Sequence, residues 1–206
     1  MAVQKDLFDK PWIRNSFGKT FKFLPPNTWT TISLIVAFIA FAVVALDHLY
    51  WGILLFVISG MCDFIDGRVA RYTGQSSKFG AFWDGTVDRF VDALIVFCVF
   101  FLDFSFQPRL IAMLIFILLF AILMPPFIVA YANHRGAVPD PTEKVIWRLS
   151  FRAEPLLLLG VCGFLNPVSG TASFIFFLLA LLLEVATVVQ SIILVYVRSK
   201  DYQSQP

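Results

Sequence analysis

Four aspartates, paired at helical spacing, are the residues of this sequence best suited to do chemistry. Asp63 and Asp66 are three residues apart, and Asp84 and Asp88 are four apart, so each pair occupies one face of a helix. If a short turn reverses the chain between Asp66 and Asp84, Asp63 lies level with Asp88 and Asp66 lies level with Asp84. We therefore expect the four carboxylates to converge.

Converging carboxylates indicate a cation site. Four of them cannot all stay ionised unless a positive charge joins them, and an all-oxygen set suits hard divalent ions, Mg²⁺ or Mn²⁺, with Ca²⁺ as another occupant. Two such ions would clamp the attacking and leaving oxygens of a phosphoryl transfer. Gly67 and Gly80 leave room for close approach of a ligand or helix, and Arg71 is placed to meet phosphate oxygens. The pattern predicts two divalent cations serving phosphoryl chemistry.

Other interpretations of the charged cluster remain open at this point. Buried salt bridges between the two helices would balance charges on matching faces, whereas here the acids gather on one face. An ion-coupled transporter would need a polar route past the cluster, and the only further acid in this run is Asp92. A structural membrane scaffold predicts that replacing Asp88 by Asn changes nothing.

The composition shows what kind of fold must position these residues. The chain has 206 residues, of which 59% are hydrophobic and 15% charged, against about 45–50% and 25% in soluble domains. Its mean hydropathy is +0.80. These values exclude an ordinary soluble enzyme and a disordered chain, and the net charge of +2 gives no reason to expect a nucleic-acid partner. The three cysteines fall in apolar runs without C-x-x-C spacing, which favours packing over disulfide or zinc chemistry.

Apolar runs near the length that crosses a bilayer, about 20 residues, predict six transmembrane helices in an all-α integral membrane protein. The runs cover residues 28–46, 49–71, 79–102, 109–133, 153–166 and 169–197. We expect a six-helix catalytic domain over residues 25–200, with a cytoplasmic juxtamembrane segment at 1–24 and a cytoplasmic tail at 201–206. Apolar residues at four-residue steps among lysines in the first segment indicate an amphipathic interfacial helix, although a simple basic anchor is equally compatible.

The distribution of basic residues predicts the orientation. With six spans and the N-terminus inside, only Arg109 of the 16 Lys and Arg residues lies outside, as expected when basic residues accumulate on the cytoplasmic side. The carboxylates lie toward the cytoplasmic ends of their helices. We therefore predict a multi-pass cell-membrane protein with both termini and the active site facing the cytoplasm.

The carboxylates belong to a longer motif. Residues 63–88 read D-F-I-D-G-R-V-A-R-Y-T-G-Q-S-S-K-F-G-A-F-W-D-G-T-V-D and match D-x-x-D-G-x-x-A-R-x₈-G-x-x-x-D-x-x-x-D at every fixed position. This segment resembles the signature of the CDP-alcohol phosphotransferase family. The resemblance extends to the six-span layout and to the P-N-T-W stretch before the first span, and thus covers most of the chain.

The resemblance implies a reaction and a role for each motif residue. Members of the family transfer a phosphoalcohol group from a CDP-linked donor, usually a CDP-lipid, to the hydroxyl of an acceptor alcohol and release CMP. By resemblance, Asp63, Asp66 and Asp84 hold metal, and Asp88 holds the second metal and takes the proton of the acceptor. The resemblance also implies a homodimer in the bilayer and the following nucleotide-binding residues: Pro26, Asn27, Thr28, Trp29, Gly67, Arg71 and Ser77.

Three arginines beyond the motif bear on the acceptor. Arg135, Arg152 and Arg198 are all predicted at the cytoplasmic face and could together bind an anion. This resembles the phosphatidylinositol-phosphate and archaetidylinositol-phosphate synthase branch, where basic residues at such places bind inositol phosphate. The alternatives are that these arginines follow the positive-inside tendency or touch anionic lipid. Glycerol 3-phosphate or serine as acceptor, or a soluble CDP-alcohol as donor, also remain open.

Two acids lie outside the motif. Asp92 follows Asp88 by one turn, and support of the site or a hydrogen bond between helices are equally open roles for it. Glu184 lies midway along the last apolar run, where interhelical packing or a subunit contact is the favoured interpretation.

Overall fold

The computed structural model describes residues 17–104, 106–138 and 149–203, which contain helices and no β-strand. Residues 17–21 are helical. The longer helices are α1 (Pro26–Ala45), α2 (Leu49–Thr73), α3 (Lys78–Cys98, followed by a short 3₁₀ turn, Val99–Phe101), α4 (Pro108–His134), α5 (Ala153–Leu165) and α6 (Gly170–Gln203). They begin and end close to the six predicted apolar runs, and the prediction of an all-α fold is confirmed. Residues 1–16 of the predicted interfacial segment and residues 204–206 of the predicted tail lie outside the described residues.

Among the described residues, four helices are long and apolar enough to cross a membrane: α1, α2, α4 and residues Gly170–Lys200 of α6. The chain is therefore a multi-pass membrane protein. Helix α3 differs because it carries Lys78, Arg89 and three aspartates. Helix α5 has 13 residues and is about 20 Å long, shorter than the roughly 30 Å hydrocarbon core of a bilayer. The count of six spans thus goes beyond what length and composition establish.

The chain divides into two compact units, residues 1–94 and 95–206. In the first unit, α1 and α2 pack closely through small side chains. The Ser33 hydroxyl donates to the Ser59 carbonyl at 2.9 Å and the Ser59 hydroxyl donates to the Ser33 carbonyl at 2.8 Å, with both serines buried. A methyl group on Gly52 would overlap Val44. Small residues allow this approach, as is usual where membrane helices pack.

The second unit holds the larger apolar core, built from α4, α5, α6 and the end of α3. Phe177, Ile115 and Leu118 are fully buried in it. A buried polar contact also ties the segment before α5 to α6, because the Ser150 hydroxyl donates to Glu184 Oε1 at 3.0 Å. Glu184 is 4% exposed, in agreement with the packing role favoured from the sequence.

Candidate functional site

The turn between α2 and α3 is what brings the carboxylates of the first unit together. Helix α2 is capped by Gly74, which has φ 69° and donates its N–H to the Ala70 carbonyl. Glycine adopts this left-handed conformation without the steric cost that a side chain brings. Helix α3 begins four residues later, and Ser77 Oγ accepts the Gly80 N–H at 2.9 Å in its first turn. The chain thus reverses within a few residues, as the sequence predicts.

Three of the four aspartates form a cluster. Asp63, Asp66 and Asp84 each place a carboxylate oxygen within 4.8 Å of the others. Asp66 is buried and the other two are half-buried. Three negative groups this close repel one another unless a cation joins them, and an all-carboxylate set is the kind that Mg²⁺, Mn²⁺ and Ca²⁺ bind. The donor set therefore fits a divalent cation.

Asp88 lies one turn further along α3, outside this three-carboxylate set. Its side chain is 19% exposed, and its Oδ2 lies 3.7 Å from Nη2 of Arg89. Arg89 also pairs with the fully buried Asp92 at 3.0 Å. Among the described contacts, Asp92 thus forms an ion pair on its own helix, one turn from Asp88.

A cavity of about 250 Å³ opens beside the cluster. Asp66 and Asp84 contribute to its wall, together with small and polar side chains suited to a nucleotide and its phosphates. The full lining comprises Pro26, Asn27, Thr30, Asp66, Gly67, Ala70, Arg71, Gln75, Ser76, Ser77, Gly80, Ala81 and Asp84. Five of the seven residues assigned to the nucleotide by resemblance lie in this wall; Thr28 and Trp29 do not.

Trp29 has a different position from the other residues of the P-N-T-W stretch. Its side chain is buried in an apolar cluster with Cys62, Ile65 and Val69. The indole N–H donates to the Phe21 carbonyl at 3.1 Å, which satisfies the polar edge of an otherwise apolar ring. Trp29 therefore holds the chain before α1 in place, whereas Pro26, Asn27 and Thr30 line the cavity.

Thr30 is a cavity residue that the sequence analysis missed. Its hydroxyl lies 2.6 Å from Asp66 Oδ2, and both residues are buried. The next residue, Thr31, donates to the Asn27 carbonyl at 2.9 Å and receives the Trp83 indole N–H at 3.2 Å. The sequence does carry a signal for Thr30, because a hydroxyl residue at the start of an apolar span needs a polar partner.

Two glycines of the motif keep the cavity open. A Cβ at Gly80 would lie 3.1 Å from both Asn27 Oδ1 and Ser77 Oγ. A Cβ at Gly67 would lie 3.6 Å from an Arg71 guanidinium nitrogen. Arg71 is exposed, and its Nε donates to the Gly67 carbonyl at 2.9 Å. This bond directs one edge of the guanidinium to the helix and leaves the planar group at the cavity wall.

The three arginines assigned to the acceptor all belong to the second unit. Arg135 directly follows α4, and its Nε donates to the Tyr131 hydroxyl at 3.1 Å. Arg152 directly precedes α5, and Arg198 lies in the last turns of α6. Each therefore occurs at the end of a helix, as expected from the apolar runs.

Comparison with known proteins gives a consistent result. The family model for CDP-alcohol phosphatidyltransferase matches residues 23–198. The archaetidylinositol phosphate synthase of Pyrococcus horikoshii is 27% identical over 153 residues, which cover 73% of this chain and 76% of that protein.

Solved structures show the same fold. The Mycobacterium tuberculosis phosphatidylinositol phosphate synthase in complex with manganese and citrate aligns with a TM-score of 0.74 at 21% identity and covers 89% of both chains. The same enzyme with CDP-DAG bound aligns with a TM-score of 0.69, also at 21% identity, over 87% of this chain and 90% of that chain.

Proposed function

Since the chain belongs to the CDP-alcohol phosphatidyltransferase family, we propose that it transfers a phosphatidyl-type or archaetidyl group from a CDP-lipid to inositol phosphate and releases CMP. The observation that carries this proposal is that two members of the carboxylate cluster, Asp66 and Asp84, line the same cavity as Asn27, Arg71 and Ser77. A cation site and a cavity with hydrogen-bonding side chains in its lining therefore share one wall. This is the arrangement that a diphosphate-linked nucleotide requires.

The cavity residues bind and orient the donor. Asn27 and Ser77 offer hydrogen-bonding groups close to Gly80, where the missing side chain lets a nucleotide approach the backbone. The Arg71 guanidinium binds phosphate oxygens. Divalent cations, two by family resemblance and Mg²⁺ or Mn²⁺ by donor chemistry, would be held by the aspartates and would neutralise the charge that develops on the diphosphate.

Asp88 is the proposed general base. The acceptor hydroxyl loses its proton to the Asp88 carboxylate as its oxygen bonds to the lipid-linked phosphorus, and the bond from that phosphorus to the CMP oxygen breaks. The Asp88 carboxylate is only 19% exposed and lies 3.7 Å from the Arg89 guanidinium, contacts that restrict its position, and positioning is what a general base requires first. By family resemblance, Asp88 also contributes to holding the second cation.

Inositol phosphate is the proposed acceptor, with Arg135, Arg152 and Arg198 binding its phosphate. Support comes from the Pyrococcus horikoshii relative, which is named an archaetidylinositol phosphate synthase, and from the bidentate fit of guanidinium groups to phosphate. These arginines remain assigned by resemblance, and the acceptor assay below tests them together with the acceptor itself.

We expect the purified protein to release CMP from CDP-diacylglycerol or CDP-archaeol with Mn²⁺ or Mg²⁺ when inositol phosphate is supplied, but not with glycerol 3-phosphate or serine. Replacing Arg152 by Gln should raise KM for inositol phosphate by about 10–100-fold, since a charged hydrogen bond contributes about 1.5–3 kcal/mol. The measurement is CMP release by chromatography, with Arg109→Gln as the matched control. Release with another acceptor would contradict the acceptor assignment while retaining the transferase.

The proposed membrane arrangement keeps all six helices as spans, with both termini and the cavity on the cytoplasmic side. It also keeps the proposed division into the segment 1–24, the catalytic domain 25–200 and the tail 201–206. The protein is further proposed to be a homodimer, and light scattering of the detergent-solubilised protein would test this oligomeric state. The support is that the charges of α3 include the catalytic aspartates, so polarity there serves the site.

Cysteine labelling tests the orientation through the two ends of α2. An impermeant thiol reagent should label Asp47→Cys in intact cells, whereas Gln75→Cys should react only in inverted vesicles. Both positions are exposed and lie in the turns that flank α2. The opposite pattern would reverse the proposed topology.

A further inference from the structure

Thr30 contacts the carboxylate cluster from α1. Its hydroxyl lies 2.6 Å from Asp66 Oδ2, and the two residues are 3% and 5% exposed. We infer that Thr30 is a positioning residue that fixes the Asp66 carboxylate in the orientation needed to hold a divalent cation. This inference rests on the proposed function, in which Asp66 is a metal ligand.

The direction of this hydrogen bond follows from its chemistry. An ionised carboxylate only accepts hydrogen bonds, so the hydroxyl proton of Thr30 points to Asp66. The same hydroxyl lies 3.3 Å from the Pro26 carbonyl, a longer and weaker contact for a group with a single proton. The 2.6 Å distance is typical of a hydroxyl bound to a charged oxygen, a class of bond roughly twice as strong as a neutral one.

A carboxylate needs such a partner because its own torsion does not fix it. The terminal torsion of Asp is broad rather than confined to three narrow wells, so the plane of the carboxylate turns unless another group holds it. A bond from Thr30 to Oδ2 restrains that plane, and the carboxylate, with about four lone-pair sites on its two oxygens, still has sites for a cation. Groups that orient ligands in this way commonly change metal affinity by about 10–100-fold when they are removed.

Contacts of the neighbouring residue hold Thr30 in place. The next residue, Thr31, is tied to the Asn27 carbonyl and to the Trp83 indole of α3. The start of α1 is therefore attached to α3 through Thr31 and to α2 through Thr30. Asn27, in the same turn, lines the cavity. One helical turn of α1 thus contacts Asp66, the proposed metal ligand, and forms part of the wall of the cavity proposed to bind the nucleotide.

The test is Mn²⁺ binding to the full-length protein in detergent without any substrate, measured from the electron paramagnetic resonance signal of free Mn²⁺. We expect Thr30→Val, which keeps the shape and removes the hydroxyl, to raise the dissociation constant about 10–100-fold. Thr30→Ser, which keeps the hydroxyl, should bind Mn²⁺ with nearly the affinity of the parent protein. Thr86→Val is the matched control, since it removes a threonine hydroxyl whose described hydrogen bond goes to the Phe82 carbonyl of its own helix, and its Mn²⁺ affinity should remain that of the parent protein.

The outcomes separate this inference from the proposed function. Loss of Mn²⁺ binding in Asp66→Asn, together with unchanged binding in Thr30→Val, would overturn the role of Thr30 and leave the metal site intact. Equal weakening in Thr30→Val and Thr30→Ser would also overturn it, because the hydroxyl would then not be the cause. Unchanged binding in Asp66→Asn would instead contradict the metal site itself. If Thr30→Val does not fold, Thr30→Ala makes the same comparison with a smaller side chain.

Discussion

Replacing Asp84 by Asn is expected to lower kcat/KM at least about 10³-fold, since Lewis-acid stabilisation contributes several kcal/mol and about 1.4 kcal/mol corresponds to tenfold in rate. The change keeps the size of the side chain and removes its charge. Asp84 is one of three residues whose carboxylate oxygens lie within 4.8 Å of one another, and it also lines the cavity. Loss of its charge should therefore weaken cation binding and donor binding together.

Asp47→Asn is the matched control for this experiment. Asp47 is exposed in the turn between α1 and α2 and has φ 64°, a conformation that Asn tolerates as well as Asp does. The same chemical change there should leave CMP release and Mn²⁺ binding at parental levels. Full activity in Asp84→Asn, with Mn²⁺ still required, would show that the cluster is not the catalytic cation site.

Asp88→Asn is expected to reduce kcat by about 10²–10⁴-fold, the usual contribution of a general base. An amide cannot take the proton of the acceptor hydroxyl. Because Asp88 lies outside the set formed by Asp63, Asp66 and Asp84, this variant should retain at least one bound Mn²⁺. Asp84→Asn should weaken that same binding, so the two variants have different signatures.

Single-turnover CMP release and a Mn²⁺ titration on the same preparation of Asp88→Asn make the comparison. A fall in kcat with KM for the CDP-lipid nearly unchanged would indicate a loss confined to the chemical step. Complete loss of Mn²⁺ binding would contradict the general-base role as the main function of Asp88 and would place it among the primary ligands. Activity near that of the parent protein would require another base.

Much of the fold follows from local properties of the sequence. The six helices lie within a few residues of the apolar runs, because a continuous apolar stretch and the need to satisfy every backbone N–H and C=O group in a membrane both favour a helix. The turn after α2 also follows from the sequence, since Gly74 is followed by the polar residues Gln75, Ser76 and Ser77. The charged face of α2 and α3 follows from spacings of three and four, which place side chains on one side of a helix.

The candidate site was predictable in part. Hairpin pairing of α2 with α3 places Asp66 level with Asp84, and these two residues both line the cavity. The same simple pairing places Asp63 level with Asp88, whereas the cluster joins Asp63 to Asp66 and Asp84. Register along a helix tells which residues are level, but not which rotamers and helix rotations bring oxygens within ligand distance.

Motif spacing and apolar length, both local properties, determined the family, the helical fold and the identity of the acids. Only the tertiary structure decided which side of α1 faces these acids. Trp29 and Thr30 are adjacent, yet they have different surroundings. The Trp29 indole lies in an apolar cluster and donates its N–H to the Phe21 carbonyl, whereas the Thr30 hydroxyl contacts Asp66. Successive helical residues point about 100° apart, and the rotation of α1 is set by close packing against α2. That packing depends on contacts between residues distant in the chain, such as Ser33 with Ser59, and therefore only the folded protein assigns the hydroxyl to the site.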